Sequence, residues 1–145
     1  LEINQAGLSW LTVLKKRAAF AHAFADYDID KVARFGARDI RRLLNDACII
    51  RNRLKIEAVI ENARRLKAIR ASHGSFARWL DTHHPRSKAA WVKLFKETFR
   101  FTGGEIVGEF LMSLGYLPGA HVANCPVYAR VLRLKPAWHA SRNVK

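Results

Sequence analysis

Acidic residues are scarce: 12 Asp and Glu stand against 26 Lys and Arg, a formal charge of +14 with the histidines neutral. That imbalance argues against an ordinary enzyme of small metabolites and points to a polyanionic partner. Cysteine is nearly absent. Cys48 and Cys125 lie far apart without any Cys-rich spacing, so a disulfide-stapled scaffold is excluded and a reducing, cytoplasmic compartment is expected. No stretch present reads as a signal peptide, and no apolar run reaches membrane-spanning length, so no membrane partner is expected. Strand-like alternation of apolar and polar residues is missing as well. So are internal repeats and the aromatic sheet motif or clustered signature of an RNA-binding adaptor.

What remains is a chain of 145 residues, half of them apolar, which can bury one modest core without metal or disulfide and is expected to act as a single domain over 1–145. The basic residues are spread along it, so the charge belongs to the folded surface. The periodicities are helical. Leu1-Glu2-Ile3 reads as the last turn of a helix that starts upstream. After Ser9, an N-cap, one amphipathic helix is predicted from Trp10 to Phe24 with Trp10, Val13, Leu14, Ala18 and Ala21 on one stripe. Asp30 is expected to cap a short helix that Gly36 stops, and a second follows through Ile40, Leu43 and Leu44. After Asn52 a long helix buries Ile56, Val59, Ile60, Ala63, Leu66 and Ile69 and pairs Glu61 with Arg65, until Gly74 ends it. Further helices are predicted around Phe76–Leu80, around Ala89–Phe99 after the His84-Pro85 break, and through Ile106, Val107, Phe110, Leu111 and Leu114 up to Gly115 and Pro118. The fold class is therefore all-α with short connections, and the tail from about Pro136 is expected to be loose.

Four features could carry chemistry. In Asp46-Ala47-Cys48-Ile49-Ile50-Arg51-Asn52-Arg53-Leu54-Lys55-Ile56 a tight turn joins two helices, and Arg51, Arg53 and Lys55 crowd the start of the second. Cations there oppose the helix dipole, a conflict that a phosphate bound by free backbone N–H groups would remove; a solvated helical hairpin is the bland alternative. In Glu2 to Trp10 a carboxylate, the small-residue turn at Gly7 and an indole lie close together, a set that suits a cationic aromatic ligand, or else a surface Glu beside a core Trp. His121 and Cys125, four apart, could share a zinc ion, but two ligands do not make a site. His139 and the His83-His84 pair have no ligand spacing. Finally, Trp91, Phe95 and Phe99 share a helical stripe that serves as core or as a stacking platform.

The order of these pieces, Glu2, then Gln5-Ala6-Gly7-Leu8-Ser9-Trp10-Leu11-Thr12-Val13-Leu14-Lys15-Lys16-Arg17, then the Asp46–Ile56 stretch, then Gly115-Tyr116-Leu117-Pro118-Gly119-Ala120-His121 with Cys125, resembles the 3-methyladenine DNA glycosylase I family. Arg100-Phe101-Thr102-Gly103 resembles its segment before the late apolar helix. The resemblance spans nearly the whole chain and implies the helix-hairpin-helix DNA glycosylase fold without the family's N-terminal segment. It implies a monofunctional base-excision repair enzyme that flips 3-methyladenine out of alkylated double-stranded DNA and hydrolyses its N-glycosidic bond, acting as a monomer. Glu2 matches the base-recognising, catalytic glutamate and Trp10 a pocket tryptophan. Gly7 and Leu8 match the turn that approaches the opened duplex, while Cys48, Ile49, Arg51, Arg53 and Lys55 match the DNA-binding hairpin. Cys48 stands where the family usually has glycine, which takes φ > 0 without strain and lets a phosphate approach. His121 and Cys125 match two of four ligands of a structural zinc ion; the other ligands and further pocket aromatics belong to the N-terminal segment.

Superfamily relatives place an aspartate some way beyond the hairpin, where this chain reads Ala71-Ser72-His73-Gly74-Ser75. A 3-methylated adenine already carries positive charge, so recognition matters more than acid–base power. Lys55 is expected to be solvated or phosphate-facing and not to form a Schiff base, hence no lyase activity. The alternative from another class is a non-catalytic DNA-binding module, either a decayed glycosylase or a helix-turn-helix regulator, separable by whether binding depends on lesion or on base sequence.

Overall fold

The structure is a computed structural model that describes residues 2–140, and among these every regular element is helical. Leu1 and residues 141–145, on which the expectations for the extreme N-terminus and the end of the tail partly rest, lie outside the described residues. We number the helices α1 (Glu2–Gln5), α2 (Trp10–Lys15), α3 (Arg17–Ala23), α4 (Ile29–Ala33), α5 (Ala37–Asn45), α6 (Arg53–His73), α7 (Phe76–His83), α8 (Lys88–Thr98), α9 (Gly104–Ser113), α10 (Tyr128–Arg133) and α11 (Ala137–Ala140).

The spine is α6. The Asn52 side chain accepts the Lys55 backbone N–H at 3.1 Å and opens the helix, and Gly74 closes it at φ 78, a left-handed conformation that glycine adopts without strain. Ile56, Ile60, Ala63 and Ile69 are buried as the periodicity predicts, and Glu61 pairs with Arg65 at 2.9 Å. Val59 and Leu66 are only half-buried, because they face a cavity that opens along the helix. The N-terminal half of α6 packs with Phe20, Phe24, Val32, Leu43 and Ile49 into one apolar cluster; its C-terminal end joins Trp79, Leu80, Trp91, Phe95 and Leu111 in a second. Each fully buried Leu or Phe in these clusters contributes about 1.5–3 kcal/mol.

Three expectations are corrected. The helix predicted over Trp10–Phe24 breaks at Lys16, whose backbone (φ −99, ψ 4) departs from helical geometry while its ammonium reaches the Cys48 carbonyl at 2.9 Å. The buried face is narrower than the predicted stripe: Val13, Phe20 and Ala23 are buried, whereas Trp10, Leu14 and Ala18 are exposed. Asp28, not Asp30, caps α4 by accepting the Lys31 N–H; Asp30 instead meets Arg70 at 2.6 Å and Lys67 at 3.3 Å, tying α4 to α6. As far as Ala140 the tail is not loose: α11 follows Pro136, and the Trp138 N–H donates to the Gly115 carbonyl at 3.1 Å.

Candidate functional site: an aromatic cavity between two clusters

The two apolar clusters do not close completely on each other. A cavity of about 290 Å³ opens along α6, with Tyr27, Ile29 and Val32 on one side, Phe76, Phe95, Phe99 and Phe110 on the other, and Glu2, Ile3 and Asn4 contributed by α1. That volume stands at the lower end of ligand pockets, roughly 300 Å³, and suits a single planar ring system. The aromatic side is rigid: Phe76 meets Phe99 edge-on at 5.9 Å and stacks on Trp79 at 5.5 Å, while Phe95 meets Phe110 at 6.0 Å. Its edges are strained. Ala25, Asp26 and Tyr27 run consecutively at φ 50, 54 and 59, and Phe101 stands at φ 59. Left-handed geometry costs a non-glycine residue about 1–2 kcal/mol, and these residues flank the cavity or belong to it.

Glu2 is the one acidic side chain among the lining residues. Burial raises its pKa above the ordinary 4.5, and the charge of Glu109 adds to the rise. A cation placed in the cavity would offset that penalty, because it restores a favourable field where water has been removed. Asn62 also lines the cavity, yet both ends of its amide are committed to one residue: Nδ2 donates to the Arg100 carbonyl at 2.9 Å and Oδ1 accepts the Arg100 N–H at 2.7 Å. It therefore fixes the segment from Arg100 to Thr102 in place of reading a ligand.

Trp10 is not among the residues that line this cavity. It stands at the start of α2 and is 38% exposed, so the expected convergence of Glu2 and Trp10 on one pocket is not what the described residues form. The turn between them has the expected form. Gly7 is at φ 77, the Leu8 N–H donates to the Gln5 carbonyl at 2.7 Å, and the Leu8 side chain is exposed.

The hairpin between α5 and α6 is internally braced. Asp46 Oδ1 accepts the Cys48 N–H at 2.8 Å, and the Lys16 ammonium donates to the Cys48 carbonyl. Cys48 is exposed and does not adopt a left-handed φ, so the side chain there brings no backbone strain. Ile49 is buried and anchors the turn, whereas Arg51 and Arg53 are exposed, Arg53 sharing an ion pair with Glu57 at 3.3 Å. The expectation for Lys55 is corrected. It is neither solvated nor turned outward: only 5% exposed, its ammonium donates to the carbonyls of Asn4 and Ala6, and the lost hydration lowers its pKa.

His121 Nδ1 and Cys125 Sγ lie 3.4 Å apart, close enough to bind one ion together. Among the described residues no group of three or more His, Cys, Asp or Glu side chains is placed to hold a metal, so this pair does not by itself complete the four-ligand shell of a structural zinc. Sequence reasoning missed Tyr27, Asn62, Phe76 and Phe110 as lining residues; they come from separate parts of the chain and share no motif. Of the Trp91–Phe95–Phe99 stripe, Trp91 is pure core, while Phe95 and Phe99 serve both core and cavity.

Comparison with known proteins bears on the family and the fold. The family model of methyladenine glycosylases matches residues 1–88. A DNA-3-methyladenine glycosylase of Haemophilus influenzae is 34% identical over 87% of this chain and 78% of its own length, and DNA-3-methyladenine glycosylase 1 of Escherichia coli is 36% identical over 88% and 78%. The fold superposes on a variant of 3-methyladenine DNA glycosylase I crystallised with 3-methyladenine, with a TM-score of 0.76 at 33% identity, covering 86% of this chain and 77% of the other. With more than half its length matched by the family model, and a helical fold shared with solved members, the chain belongs to the methyladenine glycosylase family.

Proposed function

We propose that this protein is a monofunctional DNA glycosylase of base-excision repair, which takes 3-methyladenine flipped out of an alkylated duplex into the cavity beside Glu2 and hydrolyses its N-glycosidic bond. The observation that carries the reading is the cavity itself, a ring-sized apolar space with aromatic walls and one carboxylate. Flipping costs a few kcal/mol, about what one or two stacking contacts of roughly 1–3 kcal/mol each return. The Glu2 carboxylate favours a base that arrives as a cation over neutral adenine. On cleavage the bond between the base nitrogen and the sugar C1′ breaks, its electron pair neutralises the departing 3-methyladenine, water adds to C1′, and the water proton leaves to solvent.

The exposed Arg51, Arg53, Cys48 and the Gly7–Leu8 turn supply the duplex-facing side in this reading, and Trp10 approaches the base only in the DNA-bound state. In this reading the protein works as a monomer in the cytoplasm. Zinc enters only as a structural ion for which His121 and Cys125 supply part of the shell. The test is release of 3-methyladenine from methylated duplex by the wild-type chain and by Glu2→Gln. The wild type should release the base, and the variant should be slower by about a hundredfold. No release by either, with abasic duplex still bound, would replace this reading with a non-catalytic DNA-binding module.

A further inference from the structure

Lys55 carries an unexplained expense. Its side chain is long and cationic, yet it is buried in the first turn of α6, where a positive charge also opposes the helix dipole. Among the described residues its ammonium meets no carboxylate. It donates to the carbonyl of Asn4 at 3.1 Å and to that of Ala6, and it lies 5.9 Å from the centre of the Phe101 ring. Asn4 is itself buried, and both acceptors lie at the C-terminal end of α1, the negative end of the short helix that begins at Glu2. A helix of four residues has no stability of its own in water. The Gly7–Leu8 turn comes directly after this helix, and the hairpin comes directly before Lys55.

We infer that Lys55 is a positioning residue for the proposed excision: its ammonium clamps the C-terminal end of α1 onto the hairpin helix, and so holds Glu2 at the cavity and Leu8 at the duplex side in a fixed relation to the DNA-docking hairpin. One side chain bonds two consecutive parts of the segment carrying the base-facing carboxylate, and it springs from the element that would grip the phosphates. An error of an ångström at a reacting group is enough to cost about a hundredfold in rate, so a pin of this kind is worth the burial of a charge. Phe101, at φ 59 and next to Arg100, whose N–H the Asn62 amide accepts, sets its ring 5.9 Å from the same ammonium.

The inference rests on the excision reading, and the experiment separates the two. Wild type, Lys55→Met and Lys55→Arg are compared by single-turnover release of 3-methyladenine, by amide hydrogen exchange, and by thermal unfolding. For Lys55→Met we expect release slowed by about tenfold or more. We also expect faster exchange at Ala6 and Leu8, whose N–H groups bond the carbonyls of Glu2 and Gln5, with protection along α6 unchanged. Lys55→Arg, which keeps the charge and the donors, should restore part of both. Release within twofold of wild type together with unchanged exchange at Ala6 and Leu8 would overturn the inference. So would a loss of protection in Lys55→Met that is uniform over α1, α5 and α6, since that is ordinary core damage. If the wild type releases no base, the excision reading fails, and the exchange at Ala6 and Leu8 still decides whether Lys55 clamps α1.

Discussion

Tyr116 donates its hydroxyl to Asp81 Oδ1 at 2.6 Å. Burial, that bond and the Asp81 charge together push the phenol's pKa from an ordinary 10.0 up to about 12. The folded state therefore holds this proton more tightly than the unfolded chain does. Its contribution to stability is complete below pH 10 and is lost as the pH rises from there toward 12. Tyr116→Phe should weaken the fold by about 0.5–1.5 kcal/mol near neutrality through the missing hydrogen bond, and should flatten the alkaline decline. Urea midpoints at neutral and alkaline pH check this; parallel declines in both proteins would rule out Tyr116 as the source. Neither this pair nor the inward turn of Lys55 was legible in the sequence. Tyr116 lies 35 positions from Asp81, and Lys55 lies 51 and 49 from its acceptors. A polar side chain goes inward only when tertiary structure brings it a partner. Glu2 was legible because the motif around it is contiguous, whereas whether the Trp10 indole enters the cavity depends on how α2 packs, which its own residues do not specify.

At the scale of elements, hydrophobic period and caps located α5, α6, α8 and α9, because each buries a continuous stripe that its own residues define. The periodic method failed at Lys16, where a contact to the hairpin carbonyl outweighs the continuity of a helix. It also could not see how the α8–α9 connection is fixed. That connection depends on the Asn62 amide, which bonds both backbone groups of Arg100. Asn62→Ala removes both bonds, and each buried group left unsatisfied costs about 1–3 kcal/mol. The urea midpoint should fall with the slope unchanged, and Asn62→Asp, which keeps the acceptor and loses the donor, should lie between. A loss below about 0.5 kcal/mol would mean that water replaces the amide freely.

At the scale of the whole molecule, the positive charge and the divided core answer different needs. The charge of +14 favours any polyanion and makes duplex binding fall steeply with salt, so it cannot distinguish a repair enzyme from a regulator. The gap between the two clusters can, because unfilled space forfeits packing contacts that a closed core would keep, and a regulator has no use for it. Ala63 sits where this can be tested: it is 6% exposed, belongs to the first cluster and lines the cavity. Leucine at this position extends into empty volume. Ala63→Leu should therefore unfold at a temperature equal to or above that of the wild type. With a base in the cavity the same side chain is overpacked by about 1–3 kcal/mol, which corresponds to a loss of affinity for free 3-methyladenine of about 5-fold to 150-fold. Abasic duplex, which presents no base to the cavity, should bind as before. Thermal unfolding, titration with the free base and abasic-duplex binding read the three effects separately. A variant that is destabilised while still binding the base would show that the clusters already meet at Ala63 and that the ligand lies elsewhere.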